Sequence, residues 1–203
     1  MVMAAVLSSY VYLGRNFARA LGVNTASEPN LEAQGRRTLA YFIQDVRMAN
    51  GVLDDPILAV APKVMPAANQ VTLILPTPSG LKYITYFFNS NDTEFPFSSF
   101  TIPPRSLVRI DLASNTALTL HSKLLSPTPA SDQSFYFRYY DNSGRPYDNS
   151  SPPYTTAASY LLGIKQISLS FSSQGGSVVN DTLTQVYSSS SPRLTLRNRQ
   201  FLP

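Results

Sequence analysis

The hydrophobic period of this chain changes once, near Pro56, and that change limits its fold more than any other feature. Upstream, Leu31, Gly35, Leu39, Phe42, Val46 and Ala49 recur at three- and four-residue steps, while Arg36, Arg37, Gln44 and Arg47 fall elsewhere on the wheel. That spacing predicts an amphipathic helix over about 30–49, with Ser27 as a candidate N-cap and Pro29 in the first turn. Downstream the period is 2. Strands are predicted over Gln70 to Leu75, Leu81 to Phe88, Ser106 to Leu112, Ala117 to Leu125, Phe135 to Tyr140, Ile164 to Ser172 and Arg193 to Asn198. In the sixth, Ile167, Leu169 and Phe171 alternate with Gln166, Ser168, Ser170 and Ser172, which implies one wet face and an antiparallel sheet. Pro76 to Gly80 is short enough for a hairpin. Asn89 to Pro104, Ser126 to Ser134, Asp141 to Ser159 and Ser173 to Pro192 are rich in Pro, Ser and Asn and are expected as long surface loops.

Ahead of the helix, Met1 to Leu13 carries no charge. It is shorter than the roughly 20 apolar residues a membrane span needs, and no basic region precedes it as in a signal peptide. The abrupt apolar start leads to the expectation that residues 1–21 are the incomplete end of a longer apolar helix, broken near Gly22 to Pro29. Residues 22–203 then form one globular domain whose strand-rich body begins near 57.

Composition excludes most chemistry. Among 203 residues there is no Cys and a single His, so thiolate metal sites, cysteine nucleophiles and paired imidazoles are out of reach. Charged residues are only 14%, against 41 Ser and Thr, so the surface is covered by neutral polar groups. The net charge of +4 comes from Lys and Arg spread along the chain, without the concentrated basic face of a nucleic-acid-binding module.

The order of parts resembles a known family. An apolar N-terminal run, the segment Leu31-Glu32-Ala33-Gln34-Gly35-Arg36-Arg37-Thr38-Leu39-Ala40-Tyr41-Phe42-Ile43-Gln44-Asp45-Val46-Arg47 and an all-strand body look like a type IV pilin-like protein. Within that family it more closely resembles the minor pilins and type II secretion pseudopilins of the PilW-like and J-type class. Phe137-Arg138-Tyr139-Tyr140-Asp141-Asn142-Ser143-Gly144, Ile164-Lys165-Gln166-Ile167 and Leu194-Thr195-Leu196-Arg197-Asn198-Arg199 are similar to stretches of the same class. The class also carries a basic leader ending in Gly and a Phe-Thr-Leu-x-Glu start, processed by prepilin-type cleavage and methylation. These residues do not contain it, which places Met1 inside the apolar helix, downstream of the cleavage site.

The resemblance implies an α+β pilin-like fold, with an N-terminal helix packed on an antiparallel sheet with long loops. It implies no enzyme. The chain would be a structural subunit that helps initiate or cap a type IV pilus or type II secretion pseudopilus. Its place would be the bacterial inner membrane with a periplasmic domain, or the filament itself. Val2, Val6, Leu7, Val11 and Leu13 would pack in the membrane and filament core, and Leu31, Leu39, Phe42 and Val46 would form the helix–sheet interface. The partners would be other minor pilins or pseudopilins and the inner membrane, with no nucleic acid and no small-molecule substrate. The alternative is a secreted β-sandwich binding module for glycans or a surface partner.

Three constellations are weighed for chemistry. His121, opposite Leu118 and Leu120 in an alternating stretch, is expected on the solvent side of a strand. Asp141, Asn142 and Asp148 offer oxygen ligands for calcium, but lack the EF-hand spacing, and an Asx-type turn explains Asp-Asn-Ser-Gly without metal, so no cofactor is expected. The cluster Phe135, Tyr136, Phe137, Tyr139 and Tyr140 could stack a glycan or base, but reads as strand packing.

Overall fold

A computed structural model describes residues 30–53, 69–97, 99–125, 136–146, 163–176 and 184–196. Residues 30–48 form helix α1, and eleven strands follow among the described residues. They are β1 (Gly51–Val52), β2 (Gln70–Thr77), β3 (Gly80–Asn89), β4 (Phe95–Phe97), β5 (Phe100–Ile102), β6 (Ser106–Asp111), β7 (Thr116–His121), β8 (Tyr136–Tyr140), β9 (Gln166–Gly176), β10 (Thr184–Ser190) and β11 (Leu194–Thr195). The first sheet is five-stranded with order β1-β2-β3-β6-β7. The second is built on β9, which pairs with β8, β10 and β11, and β4 pairs with β5 as a separate ribbon. The pairings between these strands are antiparallel.

This β-rich architecture corrects the α+β pilin-like expectation of a long N-terminal helix on a sheet with long loops. The described residues are mostly strand with one short helix, and two stretches expected as loops also pair into sheets. Asn89 to Pro104 contains the β4–β5 ribbon, and Ser173 to Pro192 contains β10. Their Ser, Pro and Asn content hid backbone pairing that neighbouring strands supply. The apolar positions Val2, Val6, Leu7, Val11 and Leu13 lie outside the described residues. No helix among those described is long and apolar enough to cross a membrane.

One core is shared by α1 and both sheets. Alternation in β2 turns Val71, Leu73 and Leu75 inward, and in β3 Ile84, Tyr86 and Phe88 do the same. The second sheet contributes Phe137, Tyr139, Ile167, Leu169 and Phe171. The helix lays a buried stripe of Leu31, Gly35, Thr38, Phe42, Val46 and Ala49 across them, and Leu39 packs half-buried at its margin. Phe42 is the hinge of this arrangement. Its ring meets Tyr86 of the first sheet edge-on at 5.3 Å and Phe137 of the second at 5.8 Å. At Gly35 the helix comes so close to β10 that an added Cβ would sit 3.0 Å from Ser189 Oγ.

The far face of the first sheet carries a smaller cluster, Phe87, Ile102, Val108 and Ile110, covered by Phe95, Phe97 and Phe100 of the ribbon. Asn89 holds that ribbon in place. Its side-chain amide donates to the carbonyls of Thr93, Ile102 and Pro103 at 2.9, 3.2 and 3.0 Å, and its Oδ1 accepts from Asn91 N–H at 3.1 Å. Four backbone groups of a non-regular segment thereby find partners within reach of a single buried side chain.

Phe42→Ala is expected to cost about 3–5 kcal/mol, because the cavity it leaves is walled by two sheets that cannot both collapse into it. Chemical denaturation measures it. A loss well below about 1 kcal/mol would show that Phe42 is not a core residue.

Candidate functional site

The most organised polar constellation in the described structure is the joint between α1 and the first sheet. Asp45 lies on the inward side of the helix beside Phe42 and Val46, at 2% exposure. A carboxylate there is costly unless it is paired and hydrogen-bonded. Both conditions are met from the sheet. Arg109 on β6 donates through Nε at 2.7 Å and Nη2 at 3.2 Å, and the Tyr86 hydroxyl on β3 donates at 2.7 Å. Tyr86 and Arg109 are direct cross-strand partners, so the pairing register of β3 and β6 sets both donors under one carboxylate.

The electrostatics follow from this geometry. Burial, and then the negative Asp45 beside it, push the Tyr86 pKa well above the ordinary phenol value, so the hydroxyl stays a donor. Burial works against the Arg109 charge, but the hydrogen bonds and charge of Asp45 outweigh it and hold its pKa above the ordinary value. The Arg109 guanidinium also lies 5.7 Å from the centre of the Tyr41 ring, and Arg37 lies at the same distance from that ring. The joint therefore runs Arg37, Tyr41, Arg109, Asp45 and Tyr86 across the boundary between helix and sheet. Its buried part sets a carboxylate against a guanidinium and a phenol hydroxyl. Its chemistry is positional.

The interface residues expected from the sequence sit along the same joint. Leu31 is 5% exposed, Phe42 and Val46 are fully buried, and Leu39 is half-buried. Neither Asp45 nor Arg109 carries a signal in the sequence: Arg109 alternates with Val108 and Ile110 and so falls on what reads as the polar face of its strand.

His121 departs from expectation. It is buried rather than on the solvent side, at 1% exposure. The cause is a β-bulge: Leu107 pairs with His121 but Val108 pairs with Thr119, so Leu120 is an extra residue and the alternation slips. Both Leu120 and His121 then face the core. The imidazole lies 5.1 Å from the Phe171 ring and its Nδ1 is 2.7 Å from the Ser122 carbonyl. Since a carbonyl only accepts, Nδ1 carries the proton. Beside it the helix is tied to the end of β7, because Gln34 Oε1 accepts from Ser122 N–H at 3.1 Å.

At the calcium candidate, Asp141 is committed to its own turn. Its Oδ1 accepts from Ser143 N–H at 2.8 Å, Ser143 Oγ at 2.7 Å and Arg145 N–H at 2.8 Å. The Ser143 hydrogen bond first, and the Arg145 amide next, hold its carboxyl below the usual carboxylate range. Gly144 takes a left-handed φ of 78°, and Arg193 donates to its carbonyl at 3.1 Å while stacking 4.2 Å over Tyr140. Asn142 sits in this turn, and Asp148 lies outside the described residues. Among those described, no group of three or more His, Asp or Glu is placed to hold a metal ion.

Of the aromatic cluster, Phe137, Tyr139 and Tyr140 are buried. The Tyr139 hydroxyl donates to the Gln70 carbonyl at 3.1 Å, and Tyr140 shares a hydrogen bond with Ser168. These rings are packing, and none of them is offered as a stacking platform.

Asp45→Ala is expected to lower stability by about 3 kcal/mol, since it leaves Arg109 and Tyr86 without their acceptor. In a double-mutant cycle with Arg109→Met the two losses should fall well short of adding, and additivity in urea titrations would show the pair to be uncoupled.

His121 carries the expected pH dependence. Burial lowers its pKa below 6.5, only partly opposed by backbone contacts with Ser122 and Leu31. A folded pKa below the unfolded one means that the unfolded chain binds the proton first as pH falls. Stability should be intact above about 6.5 and decline as pH falls through that value. Thermal melts between about pH 7 and 5 should show the decline in the wild type and its loss in His121→Phe; an unchanged slope would assign it to other groups.

Comparison of the chain with protein-family models, with curated proteins and with solved structures finds no match to any of the three.

Proposed function

We propose that this protein is a non-enzymatic structural subunit of the minor pilin or pseudopilin type, which helps initiate or cap a type IV pilus or type II secretion pseudopilus. The observation that carries this reading is the joint between α1 and both sheets. In the sequence the apolar run Met1 to Leu13 lies upstream of α1 on the same chain. A subunit held in a membrane or a filament by its N-terminal segment feels every pull on its body through the helix that follows. Such a helix needs an attachment that resists sliding and rotation.

The helix here has one. Its buried stripe is wedged between two sheets at Phe42, Gly35 abuts Ser189, and the Asp45 carboxylate accepts from Arg109 and Tyr86. Rotation of α1 by one residue would take that carboxylate away from both of its donors. Hydrophobic contact alone is non-directional and would permit small slides. The buried pair adds the register. The described β-rich body offers sheet edges and turns to neighbouring subunits, a surface suited to contacts rather than turnover.

Cell fractionation tests this against a secreted binding module. Expressed from its own locus, the protein should sit in the inner membrane and co-purify with other pilin-type chains. Recovery as a soluble exported protein that binds a glycan array would overturn the proposal in favour of the module.

A further inference from the structure

The outward face of α1 carries a stripe of exposed cations. Arg36, Arg37 and Arg47 are exposed on it, together with Ala33, Ala40 and Gln44. Arg36 and Arg47 are eleven residues apart, which on an α-helix means nearly the same azimuth and roughly 16 Å along the axis. Arg37 lies one residue round from Arg36. The single exposed acid of the helix is Glu32, paired with Arg36, while Asp45 is buried and neutralised by Arg109. The exposed face thus carries three positive charges against one negative. In a chain with only 14% charged residues that is a marked local excess.

We infer that this arginine stripe is a docking surface for an acidic protein segment, the carboxylate-bearing face of a neighbouring subunit's helix. The inference deepens the filament reading by giving the neighbour's chemistry, and in that respect rests on it. All three cations are Arg, whose planar fork takes a carboxylate bidentately, and the small Ala33 and Ala40 let a second helix approach between them. Two other anionic classes fit less well. A helix that lies on lipid must offer its apolar face to the bilayer, and here that face is consumed in the core by Leu31, Phe42 and Val46. A nucleic acid calls for a longer run of phosphate contacts and a free aromatic platform, whereas the one helix aromatic outside the core stripe, Tyr41, already has Arg37 and Arg109 against its ring.

The test is fluorescence titration of the purified full chain with a labelled helical peptide bearing Glu on one face at i, i+4, i+7 and i+11. Phosphatidylglycerol–phosphatidylcholine vesicles and an oligo-dT strand serve as competing probes. The peptide should bind, with affinity falling as salt rises. Arg36→Glu/Arg37→Glu/Arg47→Glu should weaken it by about tenfold or more, and Arg47→Glu, which has no ion pair among the described residues, by about threefold at an unchanged melting temperature. Absence of peptide binding, equal binding by Arg47→Glu, or tighter arginine-dependent binding of the vesicles or the DNA would each overturn the inference. The measurement uses no cell envelope, so its failure leaves the fractionation result standing, and the reverse also holds.

Discussion

The structure depends on the attachment of one helix to two sheets. Most of the stability of a helix in a protein comes from packing its apolar face, so α1 persists because its buried stripe is packed. Phe42 contributes most of that packing, since its ring is the common neighbour of Tyr86 and Phe137 and so couples the sheets to each other as well as to the helix. The Asp45 pair acts differently. Burying the Asp45 carboxylate beside the partly buried Arg109 offsets much of what their attraction yields. Asp45 accepts three hydrogen bonds in one rotational setting of α1, which selects that setting among several that hydrophobic contact would tolerate.

The two sheets meet where regular pairing breaks. At the end of β7 the bulge at Leu120 turns His121 inward against Phe171 of β9, and four residues later Leu125 N–H donates to the Ser172 carbonyl at 2.9 Å. A chain that leaves one sheet and reaches the next within so few residues needs a sharp change of direction. A bulge and the left-handed Lys123, at φ 58°, supply it. The buried imidazole is a by-product of that turn, and it gives the junction a sensitivity to mild acid that an apolar residue would not have.

Much of the described body was legible in advance. The alternation of Gln70 to Leu75, Leu81 to Phe88 and Ile164 to Ser172 marks strands, and β2, β3 and β9 contain those residues nearly or wholly; the second face is not wet as expected, since Thr72, Thr85, Phe87, Ser168 and Ser172 are buried too. Strands β4, β5 and β10 were not legible. Phe95-Pro96-Phe97 is too short to show a period, and Thr184 to Ser190 is mostly hydroxyl-bearing, so its place comes from hydrogen bonds with β9 and not from its own side chains. The same limit hid His121, since one inserted residue shifts every later side chain to the other face.

The sequence by itself determined that an amphipathic helix precedes a strand-rich body and that Cys- and multi-histidine chemistry is out of reach, because periodicity and composition are local properties. Only the tertiary structure decided which strands pair, that the fold is β-rich in two sheets and a ribbon, and that Asp45, Tyr86 and Arg109 meet. Those residues stand 41 and 64 positions apart, and each is an unremarkable polar position until the β3–β6 register and the seat of Phe42 bring them within 3 Å. Contacts between distant segments are set by the free energy of the whole core, and no window along the chain contains that term.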